Sequence, residues 1–168
     1  MSFSREMRRQ GRVPSSRLLD RRVRDVTTRE ALDLRLSPGD PVVSLRRIRL
    51  ADGQPIAIEH AVLHGRTADA LLAVDLASGS LHETLMDAGF VPTKGQATLW
   101  AEAASEEDAG LLAVRPGDPL LVERRVILDQ RGRPLERTES RYAADRYALD
   151  VGFSVEDRGA RARTLGGT

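Results

Sequence analysis

Residues 31–55 (ALDLRLSPGDPVVSLRRIRLADGQP) and residues 109–134 (AGLLAVRPGDPLLVERRVILDQRGRP) are two versions of one text. Each runs from an alanine through a short apolar stretch to Pro-Gly-Asp-Pro, then through two aliphatic residues to Arg-Arg and a turn ending in proline. The second copy is one residue longer in that turn. A shared tetrapeptide in matching surroundings marks a duplicated supersecondary unit. Two copies are too few for a solenoid, which is built by stacking many neighbours. The duplication therefore points to a domain with two pseudo-equivalent halves.

Local chemistry gives each unit a shape. Thr28 and Ser105 stand where a helix N-cap is wanted, with Glu30 in one first turn and Glu106, Glu107 and Asp108 in the other. Pro38-Gly39 and Pro116-Gly117 stop the helices and turn the chain. A hairpin follows in each copy. The first pairs Val42–Leu50 with Ile56–Leu63 across Ala51-Asp52-Gly53-Gln54, and the second pairs Leu120–Leu128 with Leu135–Tyr142 across residues 129–133. Residues 68–74 and 81–89 read as short helices, and residues 16–26 and 96–104 as strands. The expected class is α+β: an antiparallel sheet with flanking helices set to one side, containing two pseudo-repeated helix–turn–hairpin units. Residues 1–150 form the expected domain; residues 151–168, rich in Gly, Arg, Ala and Thr with little to bury, are expected to fray.

The rest of the composition excludes more than it proposes. The chain has 168 residues, 26 Lys+Arg against 25 Asp+Glu, and hence a net charge of +1, which gives no global field to hold nucleic acid. Lys94 is the single lysine. With no cysteine there is neither a disulfide framework nor a thiolate metal site, and three scattered histidines (His60, His64, His82) do not make a metal centre. No cofactor is expected. No apolar run reaches the length of a membrane span, and the charged start (Arg5, Glu6, Arg8, Arg9) is unlike a signal peptide, so a cytoplasmic location is expected.

In order along the chain, Ser2-Phe3-Ser4 with Glu6-Met7, Arg12-x-Pro14-Ser15-Ser16, the first Pro-Gly-Asp, Arg47-x-Arg49, Asp52-Gly53-x-Pro55-Ile56-Ala57-x-Glu59, Ser80-Leu81, the second Pro-Gly-Asp-Pro, Gly132-x-Pro134-x-Glu136 and Tyr142-x-x-Asp145-Arg146-Tyr147 together resemble the UTRA domain of GntR-type regulators of the HutC subfamily. The resemblance implies a chorismate-lyase-like fold that binds a small metabolite, forms a homodimer, and acts on DNA only through a winged helix-turn-helix domain that precedes it in the family. The chain starts at the expected junction, so that reader is expected to be absent from it.

Arg47 and Arg49 alternate with Ile48 and so share one face of a strand. On an inner face, two guanidiniums need an anion or carboxylate partners; on an outer face they are only a solvated strand. The resemblance favours the first reading, with a phosphate or carboxylate of the effector held by both. Ser2 and Ser4, ahead of a helical stretch over residues 5–10, and Ser80, ahead of the next helix, read as helix starts; the resemblance implies that they meet the same anion. Glu59 shares a face with Ala57 and reads from spacing as a solvated edge residue, whereas the resemblance makes it a ligand for effector hydroxyl or amide groups. Glu136 and Tyr142, an even six residues apart, share a face; facing a cavity they suit directional hydrogen bonding to a polyol or an amide, and otherwise Tyr142 reads as a tyrosine packed in the core with its hydroxyl at the rim. His82 stands where family members often carry an aromatic residue, and Ala143 where they usually carry arginine. Arg46 and Arg125 fit the opposite face or the repeat's counterpart and are left out of the site. The expected effector set is thus Arg47, Arg49, Glu59, Ser80, Glu136, Tyr142, Ser2 and Ser4, taking an anionic metabolite such as a sugar phosphate.

The expected function is ligand sensing in a repressor. The alternative is an enzyme of the same fold, a chorismate lyase, but no nucleophile–base constellation stands out in the sequence. Dimerisation is expected through an edge strand or the 96–104 region, with Trp100 as an anchor.

Overall fold

The two Pro-Gly-Asp-Pro units fold into equivalent parts of one sheet in the computed structural model, which describes residues 3–76 and 80–150. The element order is α1 (Phe3–Arg9), β1 (Pro14–Asp25), α2 (Thr28–Leu34), β2 (Pro41–Ala51), β3 (Gln54–His64), a 3-10 turn (Gly65–Thr67), α3 (Ala68–Leu72), α4 (Leu81–Asp87), β4 (Pro92–Ala103), α5 (Glu106–Leu112), β5 (Pro119–Asp129) and β6 (Pro134–Ala143). The duplication reaches further than the repeated text. The starts Phe3, Pro14, Thr28 and Pro41 recur 78 residues on as Leu81, Pro92, Glu106 and Pro119. Each half is therefore helix–strand–helix–hairpin, and the antiparallel order β1-β2-β3-β6-β5-β4 places the pseudo-two-fold between β3 and β6.

The caps repeat as well. Ser105 caps α5 by accepting from the Asp108 amide at 3.0 Å. In the first half the cap is Thr27, one residue before the expected Thr28, because only from there does Glu30 reach back to close a reciprocal capping box. Both helices end in left-handed residues, Arg35 and Ala113, each with φ of 53°. The first hairpin turns on two residues rather than four: Asp52 and Gly53 both have positive φ (52° and 77°), the conformation that matches strand twist.

The helices cover both faces of the sheet, not one. Leu34 of α2 packs with Val42 and Val62, and Leu112 of α5 with Ile58, Leu120 and Val122, all on one face. On the other face α3 and α4 bring Leu71, Leu81 and Leu85 onto Val43, Leu45, Ala61 and Leu63, while α1 brings Phe3 and Met7 onto Ala57 and Tyr142. Two-sided cover explains why β2 and β3 are buried almost continuously instead of in alternation. A buried leucine such as Leu34 or Leu112 contributes enough that truncation to alanine costs about 2–5 kcal/mol. The edge strands β1 and β4 remain largely exposed. The expectation for residues 151–168 lies outside the described residues. No helix among the described residues is long and apolar enough to cross a membrane.

Candidate functional site

Strand register decides which polar side chains meet under α1 and α4. Arg47 of β2 lies opposite Glu59 of β3, and Arg49 opposite Ala57, so the odd-numbered residues of β2 point toward those two helices. Arg47 is fully buried, Arg49 is 3% exposed and Glu59 4% exposed. Arg47 donates through Nε (3.1 Å) and through its terminal nitrogen to one oxygen of Glu59; Arg49 Nη1 stands 3.6 Å from that same oxygen. Arg49 also donates to Ser4 Oγ at 2.8 Å and lies 4.7 Å over the Phe3 ring. Its Nε is buried without a hydrogen-bond partner among the described residues.

One carboxylate thus faces two guanidiniums. Burial pushes the Glu59 carboxyl up, but the fields of Arg47 and Arg49 and the bond from Arg47 outweigh it and hold its pKa at about 2. Burial dominates at Arg49, whose pKa falls to about 10 despite Glu59. A third guanidinium joins them. Arg125 of β5, the residue 78 positions after Arg47, lines the same small cavity as Phe3, Arg47, Arg49, Glu59 and Ser80, a space of about 10 Å³. That is about room for one water molecule. The fields of Glu136, Tyr142, Glu123 and Glu59 override the burial of Arg125 and raise its pKa.

The second half supplies the acidic side. His82 Nε2 lies 2.8 Å from Glu136 Oε2, and Thr138 donates to the other oxygen of Glu136. Burial raises the Glu136 carboxyl, but His82, Arg125 and Thr138 bring it below the usual range. Ser80 caps α4, its hydroxyl 3.5 Å from the Glu83 amide. Beside the cavity, and sharing Ser80, His82 and Arg125 with it, opens a cleft of about 350 Å³ floored by β5 and walled by β4 and α4. No group of three or more His, Asp or Glu side chains among the described residues is placed to hold a metal ion.

Of the residues expected from sequence, Arg47, Arg49, Glu59, Ser80 and Glu136 line one cavity, and Ser4 touches it through Arg49. Ser4 is a buried residue inside α1 rather than ahead of the helix. Glu59 is a buried counter-charge, not a solvated edge group. Tyr142 does not line the cavity: it packs with Phe3 and Met7, stacks on Tyr147 at 3.9 Å, and donates to Glu123 at 3.3 Å. Ser2 lies outside the described residues. Arg125, Phe3 and His82 are cavity residues that the sequence reading passed over. The signal for Arg125 was present, since it occupies the repeat position of Arg47. Trp100, proposed as an interface anchor, packs beside α5 with Arg124 4.9 Å over its ring and donates to Glu102 at 2.6 Å.

Comparisons with known proteins bear on the family and the fold. The UTRA domain family matches residues 9–148. The chain is 30% identical over 149 residues to the HTH-type transcriptional repressor NagR of Bacillus subtilis, covering 88% of this chain and 61% of that protein. It is 26% identical over 147 residues to the HTH-type transcriptional regulator GgaR of Escherichia coli, covering 88% and 58%. It therefore spans about three-fifths of the length of these relatives. Among solved structures, the effector domain of PhnF from Mycobacterium smegmatis superposes with a TM-score of 0.85 at 22% identity, over 92% of this chain and 95% of that one. The C-terminal domain of the histidine utilization repressor from Pseudomonas syringae gives 0.74 at 19% identity, over 84% and 99%. The chain belongs to the UTRA family, the effector-binding domains of GntR-type transcriptional regulators.

Proposed function

We propose that the cavity of Arg47, Arg49, Arg125 and Ser80 takes the anionic group of a small metabolite, such as a sugar phosphate, while the adjoining cleft holds the metabolite's body. The observation that carries this is the charge balance at Arg49: a buried guanidinium, depressed to about 10, with an unpartnered Nε and only a shared carboxylate nearby. Holding such a group charged costs stability, and an oxyanion that accepts from two guanidiniums is the chemistry that offsets the cost. The polar groups lining the cleft, among them Thr93, Gln96 and Glu123, suit a hydroxylated body better than an aromatic one.

Occupancy would be signalled to a winged helix-turn-helix reader attached ahead of α1, because Phe3 and Ser4 of α1 touch the Arg49 side chain directly. The protein would act as a homodimer in the cytoplasm, matching two half-sites on DNA. A thermal-shift screen with phosphosugars and small organic acids tests the site, since a ligand at a hundred times its Kd raises stability by about 2.7 kcal/mol. A hit that Arg49→Ala abolishes supports the reading. Hits that survive Arg49→Ala unchanged would refute it.

A further inference from the structure

The cleft beside the cavity carries positive charge that the cavity does not need. Arg5 of α1 and Lys94 of β4 both line it, and neither makes an ion pair or side-chain hydrogen bond among the described residues. The two acids there are already engaged. Glu83 pairs with Arg8 at 3.4 Å, and Glu123 accepts from Tyr142 at 3.3 Å and stands 3.8 Å from Arg125. The cleft therefore offers two uncommitted cations outside the guanidinium cluster.

Lys94 is an exposed residue at the border between this cleft and a second one beside Leu32, Asp33 and Arg35 of the first half, and a specific piece of backbone sets its place there. It is the only lysine among 26 basic residues, and it sits in the one register shift of the β4–β5 pair, between Pro92 and Gly95. Thr93 on one side donates its hydroxyl to the carbonyls of Leu128 (3.2 Å) and Asp129 (3.0 Å). On the other side a Cβ at Gly95 would stand 2.5 Å from the Val126 carbonyl oxygen, so only glycine lets β4 press onto β5 there. A bulge pinned on both sides re-aims the residue inside it, which is the usual role of bulges beside binding sites. The position 78 residues earlier, in the other edge strand, is Ser16, so the lysine belongs to this half alone.

We infer that Lys94, with Arg5, reads a second anionic group on the effector, and that the effector is a bis-anion of the phosphosugar-acid or bisphosphate class rather than a monophosphate. This rests on the guanidinium cavity being the site of the first anion. One anion enters among Arg47, Arg49 and Arg125, and the second end of the molecule meets the ammonium across the cleft. Lys94 suits an exposed terminal group because its ammonium is a point charge on a flexible stem, whereas the forked guanidiniums suit the buried end.

The test compares inorganic phosphate, a sugar monophosphate, a sugar bisphosphate and a phosphorylated sugar acid by titration calorimetry. With the wild-type chain, a bis-anion should bind about tenfold more tightly than the monophosphate, the size of one charge-assisted contact. Lys94→Met should remove most of that ratio, while Arg49→Ala should weaken every probe about tenfold or more. A second readout uses the lone lysine directly. Reductive 13C-methylation keeps the charge and gives Lys94 one methyl resonance, which should shift with a bis-anion and not with phosphate. Equal affinity for mono- and bis-anions, both dependent on Arg49, would overturn the inference and leave the cavity reading standing. A bis-anion preference that survives Lys94→Met with Arg5→Gln would also overturn it. Failure of every probe to bind, or binding indifferent to Arg49, would overturn the cavity reading together with the inference.

Discussion

Replacing Arg49 with methionine should stabilise the protein measured in buffer alone while weakening its hold on the effector. Burial lowers the Arg49 pKa from 12.5 to about 10, so keeping the side chain charged in the fold costs about 3 kcal/mol at 1.36 kcal/mol per unit. Methionine keeps the length of the apolar stem and removes the charge. Against the gain stand the hydrogen bond to Ser4 at 2.8 Å and the contact over Phe3 at 4.7 Å, together about 2 kcal/mol. The balance is about 1 kcal/mol in favour of the variant, a rise in Tm of about 2–4 °C for a domain of this size. Effector affinity should fall about ten- to a hundredfold, the loss of one charge-assisted contact. Differential scanning calorimetry at pH 7 reads the first number and titration calorimetry the second. A fall in Tm of several degrees would show that Arg49 is a satisfied structural residue, and the argument for an anion site would fail with it.

Three further outcomes follow from the same contacts. Glu59→Gln should destabilise the fold by about 3 kcal/mol at pH 7, because its partners Arg47 and Arg49 stay buried and charged. Since the Glu59 pKa is lowered from 4.5 to about 2, its contribution is complete above about pH 4.5 and is lost as pH falls toward 2; denaturant titrations should show the gap between variant and wild type narrowing over that window, and a constant gap would refute the assignment. Ala113→Gly should raise stability by about 1 kcal/mol, since the residue ends α5 at φ of 53°, a conformation that costs a residue with a Cβ roughly that much; an unchanged chemical-denaturation midpoint would count against it. Gly95→Ala should cost about 1–3 kcal/mol through the clash with the Val126 carbonyl, and hydrogen exchange should show the loss concentrated in the β4–β5 pair rather than spread through the sheet.

The sequence made some of this legible and hid the rest for identifiable reasons. Alternation about Ile48 put Arg47 and Arg49 on one face, and the structure has them there. It could not say that the face is inner, because the opposite face carries as many arginines. Arg24, Arg46, Arg124, Arg137 and Arg141 are paired there with Glu30, Glu107, Glu139, Asp33 and Glu102. Those ion pairs form between α2 or α5 and the sheet, or between strands, so no local pattern announces them, and helix cover of that face went unread. Glu59 looked solvated because its partner lies 12 residues away across the hairpin. Tyr142 does share a face with Glu136, but six strand residues span about 20 Å, which carries the phenol past the cavity and onto α1.

The duplication also accounts for how the site divides its labour. A constant 78-residue spacing brings two equivalent helix starts, Phe3 and Leu81, to one cavity and sets Arg47 opposite its own repeat, Arg125. Had the halves stayed identical, the cavity would be symmetric, with the same guanidiniums and the same carboxylate on both sides. They diverged at the neighbouring positions. Arg49 has Ile127 as its counterpart, Leu45 has Glu123, and Ser4, which accepts from Arg49, has His82, which bonds Glu136. The first half therefore supplies the cluster of Arg47, Arg49 and Glu59, and the second half Arg125, the His82–Glu136 pair and the lysine-bearing edge. On the proposed reading, a ligand that satisfies both halves has two different polar ends, one held by the guanidinium cluster and one facing the Lys94 edge. On that reading the asymmetry sets the ligand's orientation, with an anionic group among the guanidiniums against α1, where Phe3 and Ser4 touch Arg49.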